Sequence, residues 1–219
     1  MRADSGIIHF VEYNEHERDI FPENNYCTSI DTLTQRKLRT MSGTTLAGGP
    51  TQDEVMAVSL FKLGLRSTDT LLEIGCGTGK VSIAAAQRAD KIVSIDKRPE
   101  AIAIARDAAG KAGIRTIEFF CSDAVDFLTS DQVYDCAFVG GTQQLAQILP
   151  VLKTKVKRTI VINAVLLSTV AQAVAIMQQL DIFCEVVQVQ VARSHEIAGS
   201  IMFKPIDPVF VIVGKGTAC

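Results

Sequence analysis

Glu73, Gly75, Gly77, Gly79 and Asp96 are the residues whose types and spacing could do chemistry in this chain. The glycines alternate directly after an apolar run, Thr70-Leu-Leu-Glu-Ile74, and Asp96 closes a second such run, Lys91-Ile-Val-Ser-Ile95. Glycine lets a backbone take up positive φ and approach a ligand closely, and the amides that open the next helix face the same space. An acid about twenty residues further on, at the tip of the second strand, is placed to accept the two hydroxyls of a ribose. The pattern predicts a strand, a glycine turn, a helix and a second strand around a ligand that contains a nucleoside.

Details of the loop narrow the ligand. A dinucleotide fold wants a small residue three places after Gly77, where this chain has Lys80, with Gly79 one position early. A phosphate-binding P-loop needs glycine and a hydroxyl residue where Ile74 and Val81 stand. Glu73 would repel a pyrophosphate, yet it suits a ligand with an ammonium group and a sulfonium cation. The Glu73-x-Gly-x-Gly-x-Gly79 spacing resembles the first motif of class I S-adenosylmethionine (SAM) methyltransferases, with Asp96 at the matching distance. That resemblance implies SAM as co-substrate and S-adenosylhomocysteine as product. It also implies cofactor contacts from Pro50, Thr51, Glu73, Gly75, Cys76, Gly77, Thr78, Gly79, Asp96 and Lys97.

The flanking elements must position these groups. Thr51-Gln-Asp-Glu54 reads as a capping box before a helix with Val55, Met56, Val58, Leu60 and Leu63 on its apolar face, ended by Gly64. The Gly-Gly-Pro50 turn ahead of it either lines the cleft or simply starts the helix. Val81 to Ala89 reads as a helix, and Pro99-Glu100 opens another with Ala101, Ile102, Ala105 and Ala108 inward. Ile117 to Cys121 is a third strand, with Ser122-Asp123-Ala124 at its tip. In this fold the tip lies beside the adenine, where Asp123 could accept from the exocyclic amine and Ala124 offer its amide; Asp123 would serve equally as a helix N-cap.

Tyr134 to Val139 is a fourth strand, closed by Gly140-Gly141. The Asn/Asp-Pro-Pro-aromatic motif of amine methyltransferases is absent there, as is the Pro-Cys of RNA cytosine-5 enzymes. The double glycine instead leaves room for something bulky, or lets the backbone close over the sulfonium, so Gly140 joins the expected cofactor contacts. Thr142 to Leu152 reads as a helix and Thr159 to Asn163 as a fifth strand. Between them, Lys153 to Arg158 is a basic run that would form a solvated face or suit an anionic substrate. Ser168 is expected to cap a helix to Leu180, followed by a strand from Phe183 to Ala192, a long connection from Arg193 to Asp207, and a last strand from Pro208 to Val213. The fold expected is α/β and Rossmann-like: a doubly wound, mostly parallel seven-stranded sheet with an antiparallel last strand.

Composition sets the bounds. The 219 residues, 47% hydrophobic and 21% charged, allow a sizeable core and one domain with an appendage. We expect residues 1–45 to form a loosely structured arm and 46–219 the methyltransferase domain. A net charge of −2 lacks the basic excess usual in nucleic-acid binders. The six cysteines show no metal-ligand spacing, His9 and His16 lack a third ligand, and Cys121 and Cys136 sit in apolar runs as small core residues do. No metal site, no membrane segment and a cytoplasmic location are expected.

With these pieces placed, the chain resembles the CbiT-type methyltransferases of anaerobic cobalamin biosynthesis. The matching stretches are Gly49-Pro-Thr51, the Glu73 to Gly79 loop, Ile95-Asp96, Asp123-Ala124, Phe138-Val-Gly-Gly141, and Val191-Ala-Arg193 with Pro208-Val209. The resemblance implies methyl transfer from SAM to carbon 15 of cobalt-precorrin-6B with loss of carbon dioxide from the carbon-12 acetate, giving cobalt-precorrin-7, by a homotetramer. An electron-rich carbon of a conjugated macrocycle chiefly needs to be held in line with the methyl group, and no catalytic acid or base is assigned. The substrate, an anionic tetrapyrrole, carries many carboxylates, for which Arg193 and Lys204 are the candidate cations, ahead of the 153–158 run; Arg193 could instead pair with Glu185 or Glu196. Two rivals remain at this level: an RNA methyltransferase acting on adenine-1 of transfer RNA, and a SAM-binding module without turnover.

Overall fold

The computed structural model describes residues 51–218. The expected arm, the turn before residue 51, Pro50, and the histidines at 9 and 16 lie outside the described residues. Apolar runs at Thr70–Ile74 (β1), Lys91–Asp96 (β2), Ile117–Cys121 (β3), Tyr134–Val139 (β4) and Val156–Ala164 (β5) form a parallel block. Phe183–Val189 (β6) and Val209–Lys215 (β9) complete a seven-stranded sheet in the order β3-β2-β1-β4-β5-β9-β6, with β9 antiparallel to both neighbours. This is the doubly wound sheet with an antiparallel last strand that the sequence predicts.

The central strands are covered on both faces and therefore read as continuous apolar runs. Their side chains alternate between two cores. Leu72, Ile74, Val93, Ala137, Val139, Ile160 and Ile162 pack with Leu145–Lys155 (α5) and Leu167–Gln179 (α6). Leu71, Ile92, Cys136, Phe138 and Val161 pack on the other side with Asp53–Leu63 (α1) and Lys80–Ala85 (α2). Pro99–Lys111 (α3) sets Ile102, Ala105 and Ala109 against Phe119 of β3, and Ala124–Phe127 (α4) is a single turn after it.

Several boundaries differ from expectation for physical reasons. Gln52, not Thr51, is the N-cap of α1, and no side chain caps it. The expected capping-box partner Glu54 is engaged elsewhere, by Arg193 at 2.7 Å. Helix α2 stops at Ala85 and tightens into a turn in which the Arg88 amide reaches the Ala85 carbonyl at 2.8 Å. Ala109 rather than Ala108 is buried on α3. Helix α5 begins only at Leu145 and β5 already at Val156, and Leu166 rather than Ser168 is the N-cap of α6. Cys136 is buried as expected, but Cys121 is exposed.

The largest difference lies at 193–207, expected as a connection. Ala192–Ile197 (β7) and Ser200–Pro205 (β8) form an antiparallel hairpin outside the main sheet, joined by Ala198 at φ 49° and Gly199 at φ 77°. Positive φ at both turn residues is the geometry of a two-residue hairpin turn.

The basic run has a structural role. Arg158 lies near the start of β5 and forks onto Asp69, Nη1 to Oδ1 at 2.9 Å and Nη2 to Oδ2 at 2.6 Å. Lys157 reaches Asp135 at 3.1 Å and Lys153 donates to the Leu180 carbonyl at 2.8 Å. Because Tyr134 is in register with Val156, this run stands at the amino ends of the parallel strands. The cleft of a doubly wound sheet opens at the other end.

Candidate active site

Chain connections reverse at β1 and β4: from β1 the chain turns toward β2 and β3, and from β4 toward β5. Loops leaving the carboxyl ends there must diverge, which opens a crevice. A cavity of about 400 Å³ occupies it, lined by the ends of β1 and β2, by Ser122, Asp123 and Ala124 after β3, and by Gly140 to Gln144 after β4.

Two backbones meet at its floor. The Gly75 and Cys76 amides donate to the Ile95 carbonyl at 2.8 and 3.1 Å, while those of Gly140 and Gly141 donate to the Ile74 carbonyl at 2.8 and 3.2 Å. Gly75 has φ 80°, and a Cβ there would stand 2.6 Å from the Gly141 nitrogen. The missing Cβ at Gly75 therefore lets one loop backbone touch the other, and one added at Gly140 would press on the Gly75 carbonyl at 3.0 Å. Gly79 serves a different contact, since its Cβ would meet that of Ala105 on α3 at 2.9 Å.

Asp96, 3% exposed, ends β2 at the cavity wall. Its Oδ2 accepts from the Gly77 amide at 3.0 Å and from Arg98 Nη2 at 2.9 Å, and its Oδ1 accepts from Arg98 N at 3.0 Å and Nε at 2.9 Å. Burial alone would raise its pKa, but the bonds from Arg98 and Gly77 outweigh that and hold it below the usual carboxylate range. Asp123 caps α4 by accepting from the Val125 amide at 2.9 Å, and Oδ1 also receives Gln144 Nε2 at 3.3 Å. The N-cap role expected of Asp123 is thus observed, and the same residue lines the cavity.

Of the expected cofactor contacts, Gly75, Asp96, Lys97, Asp123, Ala124 and Gly140 are brought together at the cavity. Glu73 is not. Strand alternation puts it on the face of Leu71 rather than Ile74, 1% exposed, where Ser94 donates to it at 2.9 Å and Ser82 donates to the same oxygen. Burial pushes its pKa up to about 7 despite the serine bonds. Cys76 is likewise turned into the core against Ile102 and Ala105, and burial pushes its thiol pKa up. Gly77, Thr78 and Gly79 shape the loop without lining the cavity. Thr51 stands beside the loop with its carbonyl held by Lys80 Nζ at 2.8 Å, and Lys80 also pairs with Asp53 at 2.6 Å.

Sequence reasoning missed Arg98 and the Thr142-Gln143-Gln144 segment. Gln143 bonds Lys97 across the cavity mouth, and Gln144 bonds Asp123. The available signal for the segment was its place directly after the double glycine.

Arg193 and Lys204 face each other as register partners in the hairpin and line a second, open concavity with His195 and Asp207. Arg193 pairs with Glu54 of α1, Nη2 to Oε2 at 2.7 Å and Nε to Oε1 at 3.2 Å, not with Glu185 or Glu196. Both partners are well exposed, so the pair contributes little stability.

The chain matches the precorrin methyltransferase domain over residues 32–214. A probable cobalt-precorrin-6B C(15)-methyltransferase (decarboxylating) of Methanosarcina mazei is 46% identical over 175 residues, covering 78% of this chain and 95% of that one. A relative of the same description in Methanosarcina acetivorans is 46% identical over 180 residues, covering 79% and 97%. Among solved structures, a precorrin-6Y C5,15-methyltransferase of Geobacter metallireducens superposes with a TM-score of 0.73 at 29% identity, covering 78% of this chain and 94% of that one. A precorrin 8W decarboxylase of Methanobacterium thermoautotrophicum gives 0.73 at 28% identity, covering 76% and 91%.

Proposed function

The chain belongs to the precorrin methyltransferase family, and from that premise we propose that it methylates carbon 15 of cobalt-precorrin-6B with SAM and removes the carbon-12 acetate carboxyl as carbon dioxide, giving cobalt-precorrin-7. The observation that carries this is the 46% identity to a relative of which the chain covers 95%.

The residues at the cavity suit SAM. Gly75 and Gly140 offer close backbone approach, Asp96 is the acid for the ribose, and Asp123 retains an oxygen without a partner among the described residues for the adenine amine. SAM supplies an electrophilic methyl on its sulfonium. The protein's task is to hold an electron-rich ring carbon in line with it and to keep water out. The electron pair of carbon 15 would form the new carbon–carbon bond as the sulfur–methyl bond breaks and S-adenosylhomocysteine leaves. The bond to the acetate carboxyl would then break, and the methylated ring, now short of electrons, would take up the pair that carbon dioxide leaves behind.

Arg193 and Lys204 are the cations proposed to meet substrate carboxylates, Arg193 exchanging Glu54 for one of them. The assembly proposed is a homotetramer. In its support, the hairpin exposes Ile197, Ile201 and Phe203 by 53%, 75% and 67%, more apolar surface than a lone hairpin usually leaves in water. Residues 46–219 form the catalytic domain in this reading. A cytoplasmic location fits the free thiols of Cys76, Cys121, Cys136 and Cys184, and no helix among the described residues is long and apolar enough to cross a membrane. Against RNA as acceptor, the basic run at 153–158 is held at the sheet's other end, away from the cavity.

Incubation with methyl-labelled SAM, cobalt-precorrin-6B and transfer RNA together tests the reading. A product that carries the label and lacks one carboxyl supports it; label found only in RNA, or in no product, contradicts it.

A further inference from the structure

Arg98 breaks a local rule. It is the N-cap of α3, a place where Asn, Ser or Asp would accept a bond from an early helical amide, and its side chain makes no capping bond. The guanidinium turns back onto Asp96 instead, Nε to one oxygen and Nη2 to the other, both at 2.9 Å. With the amides of Arg98 and Gly77, each at 3.0 Å, four donors reach a carboxylate that offers about four lone-pair sites. The acid expected to take two ribose hydroxyls is thus filled by its own chain.

A guanidinium fork and a vicinal diol present the same feature to a carboxylate, two donors side by side. Arg98 is also part of the cavity wall, and its side chain is 31% exposed while that of Asp96 is 3% exposed, so the arginine is the partner with somewhere to go.

We propose that Arg98 competes with the ribose of the cofactor for Asp96, so that the cofactor binds only those molecules in which the guanidinium has swung away. This rests on the reading of the cavity as a SAM site. The arginine then weakens SAM and S-adenosylhomocysteine by the same factor, the fraction of chains with Asp96 released. Weaker product binding helps turnover wherever product release limits it.

Arg98→Asn is the informative variant because asparagine can cap α3 while vacating the fork, and a thermal melt shows whether the fold is kept. Arg98→Leu vacates the fork without adding a cap. By titration calorimetry both variants should bind SAM and S-adenosylhomocysteine roughly fivefold to tenfold more tightly than the wild type, with KM for SAM falling in parallel. Adenosine should show the same gain, and 2′,3′-dideoxyadenosine, which has no diol, should show none. Unchanged or weaker SAM binding in the variants, or an equal gain for the dideoxynucleoside, overturns the competition while leaving the SAM site in place. A wild type and variants that all fail to bind SAM would remove the site itself.

Discussion

At the amino ends of the parallel strands Asp69 and Asp135 are bound among the strand starts, whereas at the carboxyl ends Asp96 and Asp123, though also bound within the chain, stand at the wall of a cavity. Asp69 is 2% exposed and bound by Arg158 and by the Arg66 amide at 2.7 Å, and Asp135 holds Lys157 and the Thr70 amide at 2.8 Å. These contacts join strand starts to one another. At the other end the backbone is thinned to glycine, and the polar groups bond across the cavity walls. One end closes the fold and the other holds it open, though both are built from the same residue types.

That contrast can be broken at either end. The largest effect is expected for Gly75→Val, since a side chain at φ 80° would run into the Gly141 nitrogen 2.6 Å from its Cβ. Strain and overpacking together should cost about 4 kcal/mol, read by denaturant titration, and SAM binding should be lost. Asp69→Ala should cost about 3 kcal/mol, at the lower end for a broken buried pair because Arg158 keeps some exposure, while SAM affinity in the remaining folded protein stays unchanged. A fall in SAM affinity there would mean that the two ends are not separable.

The smallest effect belongs to Glu73, between the two ends. Burial raises its folded pKa from an ordinary 4.5 to about 7, so the folded chain keeps a proton that the unfolded chain releases. The stability this contributes is fully present below the unfolded value and is lost as pH rises through about 7. Denaturation at about pH 5 and about pH 8 should show the loss in the wild type and a smaller one in Glu73→Gln. An equal slope in both would place the titration elsewhere.

Much of this architecture is legible in the residue order. Strands covered on both faces leave unbroken apolar runs, so Tyr134–Val139 is found where the sequence places it, and the glycine loop marks the carboxyl end of β1. The hairpin at 192–205 is not legible. Its strands are mostly exposed, so no alternation marks them, and its turn uses Ala198-Gly199 in place of the Asn-Gly that signals such turns. Charge alone suggested that Glu73 meets a cation, but the period of the strand turns it away from the cavity beside Leu71. Arg98 was hidden for another reason: neither a residue's type nor its place before a proline tells where a long side chain will turn.

Whether the carboxyl end is the SAM site is decided by titrating SAM into the wild type and Asp96→Ala. We predict measurable binding in the wild type and roughly tenfold to hundredfold weaker binding in the variant, the loss of two hydrogen bonds to a charged group. Equal affinity in the two proteins would contradict it.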